Sequence, residues 1–374
     1  MRFGIEEEFF VIDPATGCPA TLSPADRDAL LQVTGGGSET VPEWLQCQLE
    51  SATPICSTAS EALASLTGYR AALDEAAARL GLSAVALATP PEVLPGVAPL
   101  SPGARYREIH DLVPGLAAEQ YISGLHVHLE IPHHDAGIRI LNYLRLWLPT
   151  LTALAANSPL WHGRDTGFAS WRTIRYRQWL LQGLPPHFHD GRDYDARLRR
   201  LLDVPALPDV NLVGWSARLS HKYPTVEVRA LDTQLRADES VLFALILRAL
   251  AAEALHGPPV PDDLAPELAD IAPWQAARYG LTGSLLSLPS GAVVPAEAAV
   301  HTLLETIRPH LEATGDAEDV ARGLTHLLAA GNGAQRQRGL FATGGTAAVV
   351  GHAARELVAR RPAIAAAAGT APHP

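Results

Sequence analysis

The stretch GIEEEFFVID, residues 4–13, carries the alternation of polar and apolar side chains from which the fold is predicted. Side chains of a β-strand point in turn to its two faces, so residues two apart, such as Glu6 and Glu8, share one face. The same alternation occurs in YISGLHVHLEIP, residues 121–132, and in YPTVEVRALD, residues 223–232. Each of the three stretches therefore predicts a half-buried strand.

Long segments with helical periodicity separate these strands. Thr58 and Glu61 have the spacing of a capping box, which predicts a helix that stops at Gly81. Further helices are predicted over residues 136–157 and 239–255, the second of them apolar nearly all round. Strands buried on both faces in a parallel sheet usually read as continuous apolar runs, which these strands do not. We therefore expect an α+β fold, with helices packed on one face of an antiparallel sheet.

The composition describes a globular chain. Charged residues make up 18% of the 374 residues and the formal net charge is −11, which argues against a nucleic-acid partner because such binding depends on clustered Lys and Arg. The three cysteines form no CxxC pair, and no apolar helix reaches the ~20 residues that span a membrane. We expect a cytoplasmic protein with no membrane partner. Residues 1–374 are predicted to form a single catalytic domain, with 360–374 as a flexible tail.

The polar faces of the three strands merge into one patch if the strands are neighbours. Beside the two glutamates of the first strand, the second strand offers His126 and His128, and the third offers Glu227 and Arg229. A patch rich in carboxylates is costly without cations, and its ligands suit Mg²⁺ or Mn²⁺. Each motif alone is also consistent with a solvated sheet face or an ion pair. Their joint occurrence favours a two-metal ATP site.

Candidate ligands also lie outside the three strands. Glu50 is another carboxylate near a predicted strand end, and Arg164 and Arg172 lie in a segment whose composition suits binding of a carboxylate or phosphate. A surface loop held by ion pairs explains that segment equally well. No P-loop or Rossmann motif occurs, so ATP would be held by metals and arginines on the sheet. Glu7 turns to the opposite face and is expected to be the dispensable member of the glutamate triplet.

Two other classes of protein remain open. A zinc hydrolase would hold its metal with His126, His128 and Glu227 and use an activated water. The other class is a binding protein without catalytic activity. The retained charges count against it, because they are costly without a metal.

Taken together, the motifs resemble a known family. The three strand motifs are similar to those of the carboxylate-amine ligases of glutamate-cysteine ligase type 2. Three further stretches share this resemblance: SPLWHGRDTGFASWR, residues 158–172, TVEVRALDTQLRADES, residues 225–240, and GNGAQRQR, residues 331–338. The resemblance implies a glutamine-synthetase-like fold, in which a curved antiparallel sheet forms a funnel with helices on its outer face. It also implies that ATP, bound through divalent metals, converts the γ-carboxylate of glutamate to an acyl phosphate, which the amine of cysteine then attacks.

The resemblance also implies roles for single residues. The implied metal ligands are Glu6, Glu8, Glu50, His126 and Glu227. The implied catalytic residues are Glu227 and Arg229, the latter at the transferring phosphoryl group. The implied ligands of ATP or substrate are Arg164, Arg172, Arg218 and His128. Ser123 and the stretch that begins at Arg218 depart from the usual pattern near the amine and carboxylate pockets, so a different amine or acid stays open as the alternative. A homodimer is a possible assembly.

Overall fold

The computed structural model describes residues 1–93, 96 and 98–359. The predicted tail, residues 360–374, lies outside the described residues. The strands are β1 Phe3–Ile12, β2 Thr34–Gly35, β3 Ser38–Pro42, β4 Gln48–Ala52, β5 Ser83–Val85, β6 Gly124–Glu130, β7 Leu160–Trp161, β8 Arg164–Asp165, β9 Ala217–Leu219, β10 Thr225–Asp232, β11 Ser284–Ser287 and β12 Ala292–Pro295.

The three predicted strands are confirmed as β1, β6 and β10, and they are neighbours. In the part of the chain that the structure describes, eight strands form one antiparallel sheet in the order β2-β3-β4-β1-β6-β10-β9, with β5 paired to the end of β1. The register sets His126 opposite Glu6 and His128 opposite Glu227. Because directly paired residues project from the same face, the polar faces of the three strands form one surface.

The predicted helices are also confirmed, with small shifts at their ends. The helices are α1 Pro24–Leu31, α2 Ala59–Arg79, α3 Ala104–Leu112, α4 Pro114–Ala117, α5 His134–Ala155, α6 Trp171–Tyr176, α7 Gly191–Leu202, α8 Ala237–His256, α9 Pro266–Tyr279, α10 Ala296–Thr314, α11 Ala317–Ala330 and α12 Gly333–Leu357. The capping box of α2 is present in full, with Thr58 accepting from the Glu61 amide and the Glu61 carboxylate accepting from the Thr58 amide. A short 3₁₀ turn covers Val210–Leu212.

The apolar face of the sheet packs against helices. Ile5, Val127 and Val228 are fully buried in one core cluster with the inner faces of α5 and α8. Helix α8 is buried along most of its length, as its nearly uniform apolar sequence predicts. The α+β prediction of an antiparallel sheet with helices on one face is confirmed. This packing leaves the opposite, polar face of the central strands to line a site.

Glu7 faces the helices, as the alternation predicts, and its dispensability for activity stays a prediction. Its side chain is buried against a second buried charge, with Arg70 Nε 2.9 Å and Arg70 Nη2 2.6 Å from the two carboxylate oxygens. Ser240 Oγ also donates to it. Arg70 further donates to the carbonyls of Gln234 and Leu235. The pair therefore links β1, α2 and the start of α8 inside the core.

Among the described residues, none of the helices combines the length and the hydropathy that a bilayer-spanning segment needs. The assignment of residues 1–374 to one catalytic domain stays a prediction.

Candidate functional site

The polar face of the sheet forms a wall of a cavity of about 670 Å³. This cavity brings together every predicted site residue except Arg164. The predicted residues that line it are Glu6, Glu8, Glu50, His126, His128, Arg172, Arg218, Glu227 and Arg229. Side chains as distant in the sequence as Glu6 and Arg229 thus meet because β4, β1, β6, β10 and β9 lie next to one another.

Arg164 is not brought to this cavity. It lies exposed on the two-residue strand β8, where it pairs with Trp161 of β7 across a turn that contains His162 and Gly163. Both turn residues have positive φ, 50° and 66°, so the chain reverses tightly at this point. The short hairpin leaves Arg164 exposed and outside the lining of the cavity, and its role as a ligand of ATP or substrate stays a prediction.

Glu6, His128 and Glu227 form the first group of possible metal ligands. Each offers one ligand atom, and these atoms lie within 4.8 Å of one another. Nδ1 of His128 lies 2.8 Å from Thr225 Oγ1, and when this nitrogen carries the proton, Nε2 presents a lone pair to the group. Nε2 is buried and makes no hydrogen bond, although Glu6 Oε1 is only 3.1 Å away. An acceptor nitrogen facing a carboxylate oxygen is the arrangement that a shared cation relieves.

Glu8, Glu43 and Glu50 form the second group, and it contains carboxylates only. Their ligand atoms also lie within 4.8 Å of one another. Burial raises the pKa of all three, and the neighbouring charges of Glu43, Glu6 and Glu8 raise the pKa of Glu50 further. Carboxylates that resist ionisation beside one another become good ligands when a divalent cation supplies the missing positive charge. All-oxygen ligation is what Mg²⁺ and Mn²⁺ prefer.

His126 lies between the two groups. Its Nδ1 is 3.2 Å from Glu6 Oε2, and its Nε2 is 3.6 Å from Glu8 Oε1. Burial, followed by the charge of Arg229, lowers the pKa of His126, so the imidazole is held neutral between the glutamates. The geometry thus places His128, the expected substrate ligand, inside a possible metal group, and His126, the expected metal ligand, beside both groups.

Arg218 is occupied by the protein itself. Its Nε donates to Glu227 Oε2 at 2.9 Å, and its Nη1 donates to the carbonyls of Asn211 and Val213. The charges of Arg229 and Arg218 outweigh burial, which alone would raise the pKa of Glu227, and hold that pKa well below its usual range. Arg218 therefore keeps Glu227 ionised and oriented, and its assignment as a ligand of ATP or substrate stays a prediction.

Arg229 and Arg172 each have a side-chain nitrogen that makes no hydrogen bond. Arg229 pairs with Glu227 through Nη1, and its Nε is buried without a hydrogen bond. The register of β10 on β6 shifts between Val228 and Leu231, at the point where Arg229 enters the cavity. Arg172 donates to the Arg229 carbonyl at 3.1 Å and likewise has a buried Nε without a partner. Both guanidinium groups can therefore donate further hydrogen bonds to a ligand.

A buried network orients Arg172. Its Nη1 is 3.8 Å from Asp232, whose carboxylate accepts from Ser158 Oγ at 2.7 Å and from Ser170 Oγ at 2.9 Å. Gly124 lies directly beneath the guanidinium, and its amide donates to Glu8 at 2.6 Å. A Cβ atom at this position would lie 2.4 Å from Arg172 Nη2. A side chain at position 124 would therefore displace the Arg172 guanidinium from its present place.

Several residues of the cavity were missed by sequence reasoning. Glu43 lies just past the end of β3, where no period of two marks it, and only its spacing from Glu50 could have suggested it. Tyr176 ends α6 within an arginine-rich segment that drew attention to its charges alone. Three aromatic residues in contact with one another, Trp44, Tyr106 and Trp179, also line the cavity.

Known protein sequences match the chain over nearly its whole length. The sequence profile described as glutamate-cysteine ligase family 2 matches residues 2–360. A protein of Nocardia farcinica, provisionally named glutamate–cysteine ligase 2-1, is 39% identical over 342 residues, which cover 89% of this chain and 87% of the relative. A protein of Saccharopolyspora erythraea, provisionally named glutamate–cysteine ligase 2-2, is 38% identical over 359 residues, with 94% and 90% covered.

Solved structures match at the level of the fold. A glutamate–cysteine ligase from Francisella tularensis, determined in complex with AMP, superposes with a TM-score of 0.68 at 12% identity and covers 96% of this chain and 89% of its own. A bifunctional glutathione synthetase from Pasteurella multocida gives a TM-score of 0.66 at 14% identity, with 95% and 52% covered. The likeness confirms the ligase-type architecture that the sequence motifs implied.

Proposed function

This chain belongs to glutamate-cysteine ligase family 2, and from that premise we propose that it joins the γ-carboxylate of glutamate to an amine at the expense of ATP, with cysteine as the expected amine. The observation that carries the proposal is the pair of ligand groups on one wall of a single cavity. Two cations side by side, with Arg229 next to them, suit the polyphosphate of ATP and a transferring phosphoryl group.

The residues present fit divalent cations. Glu6, His128 and Glu227 would hold one Mg²⁺ or Mn²⁺, and Glu8, Glu43 and Glu50 would hold another. When bound, such ions neutralise the β- and γ-phosphate oxygens and withdraw charge from the transferring group. The unpartnered Nε2 of His128 and the raised pKa values of Glu43 and Glu50 support this assignment, because each is relieved by a cation.

Residues of the chain itself would stabilise the transferring phosphoryl group and bind the substrate. Arg229, charged and half-buried beside Glu227, would stabilise negative charge on the phosphoryl group as it passes to the glutamate carboxylate. Arg172, oriented by Asp232, would hold a substrate carboxylate or phosphate with its free hydrogen-bonding capacity. Attack by the amine on the resulting acyl phosphate would form the amide bond and release phosphate. Arg218 would contribute by keeping Glu227 ionised.

The zinc hydrolase receives less support from this geometry. The first group contains one imidazole instead of the two that the hypothesis needs, and the second group contains none. Zinc sites usually combine nitrogen or sulfur ligands, whereas carboxylate-only sites suit Mg²⁺ and Mn²⁺. Stoichiometric zinc in the purified protein would revive the hydrolase, and exchangeable Mg²⁺ or Mn²⁺ favours the ligase.

The proposed reaction is tested by substrate-dependent release of ADP. Purified protein with Mg²⁺ or Mn²⁺, ATP and glutamate is combined with cysteine and with a panel of other amines, and products are identified by mass. We expect ADP to appear in proportion to a γ-glutamyl amide, with the amine that gives the highest kcat/KM identifying the acceptor. No ADP above background with any acid and amine pair would refute the ligase.

Glu43→Gln is expected to weaken Mn²⁺ binding. The substitution keeps the shape of the side chain but removes one of three anionic oxygen ligands of the second group. The affinity should fall at least as much as on loss of an outer-shell partner, about 10–100-fold. Titration of free Mn²⁺ by electron paramagnetic resonance measures the change. Glu312→Gln, on an exposed glutamate at the end of α10, is the matched control and should bind Mn²⁺ as the wild type does.

Gly124→Ala is expected to reduce kcat/KM. The new methyl group would meet Arg172 Nη2 at 2.4 Å and His126 Nε2 at 3.0 Å, so the guanidinium has to move. A displacement of about 1 Å of a substrate-positioning group can cost about 10²-fold. The rate of ADP release under subsaturating substrate measures the loss. Gly339→Ala, at an exposed helical glycine with open space around it, should leave the rate unchanged; an equal rate in both variants would show that Arg172 is not needed in its present place.

A further inference from the structure

Tyr176 lines the cavity but has no role in the proposed function as described so far. It is the last residue of α6, a short helix whose N-cap residue Ser170 is anchored to the buried Asp232. Its side chain is half-buried and lines the cavity beside the sheet. The helix therefore delivers a phenol hydroxyl to the polar face from the side opposite the carboxylates of β1.

Guanidinium groups from three elements surround this phenol. Arg229 of β10 donates to the hydroxyl oxygen from Nη2 at 3.4 Å, and Arg172 of the same helix stacks over the ring at 5.6 Å. Arg218 of β9 adds a third charge. Burial alone would raise the pKa of Tyr176, but these three charges outweigh it and lower that pKa. Glu227, the acid nearest to these arginines, is already paired with two of them.

The other two tyrosines that line the cavity lie in different surroundings. Tyr106 donates its hydroxyl proton to the Pro42 carbonyl at 3.0 Å, and burial raises its pKa to about 12. Tyr223 is 48% exposed, and Lys222 lies over its ring at 5.0 Å. Tyr176 is thus the half-buried phenol of this cavity that contacts two guanidinium groups, those of Arg229 and Arg172.

The proposed reaction needs a group of this kind. An amine acceptor arrives at neutral pH mostly as an ammonium ion, which has no lone pair for attack. The buried glutamates of the cavity are the proposed metal ligands, and His126 lies between two of them, so those groups are already engaged. Arg229 spans from Glu227 at one end of its guanidinium to Tyr176 at the other. A phosphoryl group held by Arg229 would therefore lie beside the phenol oxygen.

We propose, on the basis of the proposed function, that Tyr176 is the base that accepts a proton from the ammonium group of the acceptor. The N–H bond breaks as the O–H bond of the phenol forms, and the freed lone pair attacks the carbonyl carbon of the acyl phosphate. The C–N bond forms, the bond from carbon to the phosphate oxygen breaks, and the leaving phosphate takes the second proton of the amine. Tyr176 then returns its proton to solvent.

The test compares Tyr176→Phe with wild type on two acceptors. Cysteine is mostly protonated at neutral pH, whereas hydroxylamine is mostly uncharged and needs no base. We expect the variant to lose about 10²-fold or more in kcat with cysteine, the usual contribution of general base catalysis. With hydroxylamine, we expect γ-glutamyl hydroxamate to form at a rate within about threefold of wild type, because the acyl phosphate still forms. The loss with cysteine should shrink as the pH rises and free amine becomes available.

Each outcome separates this inference from the function on which it rests. Equal loss with both acceptors would overturn the role as a base, and so would full activity of the variant with cysteine. A wild-type enzyme that makes neither product would overturn the proposed function itself. Tyr279→Phe removes the hydroxyl of an exposed tyrosine on α9 and is the matched control, with both rates expected to remain at the wild-type level.

Discussion

Glu227→Gln is expected to abolish ADP release, with kcat reduced by about 10³-fold or more, on the scale of losing a charge-stabilising group in a preorganised site. The substitution removes an anionic oxygen from the first group of possible metal ligands and leaves the guanidinium groups of Arg218 and Arg229 without their shared carboxylate. In the proposed function, both effects would act where charge develops on the phosphoryl group. Steady-state assays with saturating ATP, glutamate and amine measure the loss.

Controls separate this loss from unfolding. Circular dichroism and the urea midpoint of Glu227→Gln establish that the variant is folded at the assay temperature. Arg218→Lys keeps a positive charge beside Glu227 but loses the contacts to the two carbonyls, so it should show a smaller loss of the same kind. A folded Glu227→Gln enzyme with kcat near that of wild type would contradict the assignment of this carboxylate to the metal and phosphoryl site.

Glu7→Gln is expected to lower the free energy of unfolding by about 3–5 kcal/mol, the usual result of removing one partner of a buried ion pair. Arg70 is fully buried and accepts no alternative anion in the described structure, because its other donors already contact the Gln234 and Leu235 carbonyls. Urea denaturation followed by circular dichroism measures the change. The folded fraction should retain a kcat close to that of wild type, because Glu7 faces away from the cavity.

A double variant tests whether the pair acts as a unit. Glu7→Met combined with Arg70→Met replaces both charges by apolar groups, which often costs far less than removal of one partner. We therefore expect the double variant to be more stable than Glu7→Gln. Unfolding of Glu7→Gln at the wild-type midpoint would show that the carboxylate contributes little to the core.

The alternation within residues 4–13 predicted the facing of all three glutamates correctly. A period of two is a local property of a strand, so Glu6 and Glu8 could be assigned to one side and Glu7 to the other without knowledge of any neighbour. The pattern does not show which residues contact the side chains on each face of the strand. The alternation places Glu7 on the helix side but gives no sign of its partner Arg70, which comes from a helix more than 60 residues away.

The same limit applies to the contacts of Arg218 and to the placement of Glu43, His126 and His128. The sequence offers Arg218 as a free cation, and only the pairing of β9 with β10 shows that it is held by Glu227. Glu43 has no periodic signal because it follows the end of β3, and its place in the second group depends on how the chain returns into β4. The exchange of roles between His126 and His128 likewise depends on the register of β6 between β1 and β10.

The central claim is that ATP activates a glutamate carboxylate in this cavity, and transfer of isotopic oxygen tests it most directly. Glutamate labelled with oxygen-18 in its γ-carboxylate is turned over with ATP, the divalent metal and the accepted amine, and the released phosphate is analysed by mass. An acyl phosphate passes one carboxylate oxygen to phosphate when the amide forms, so we predict one labelled oxygen in each phosphate. Amide formation with unlabelled phosphate would contradict the account.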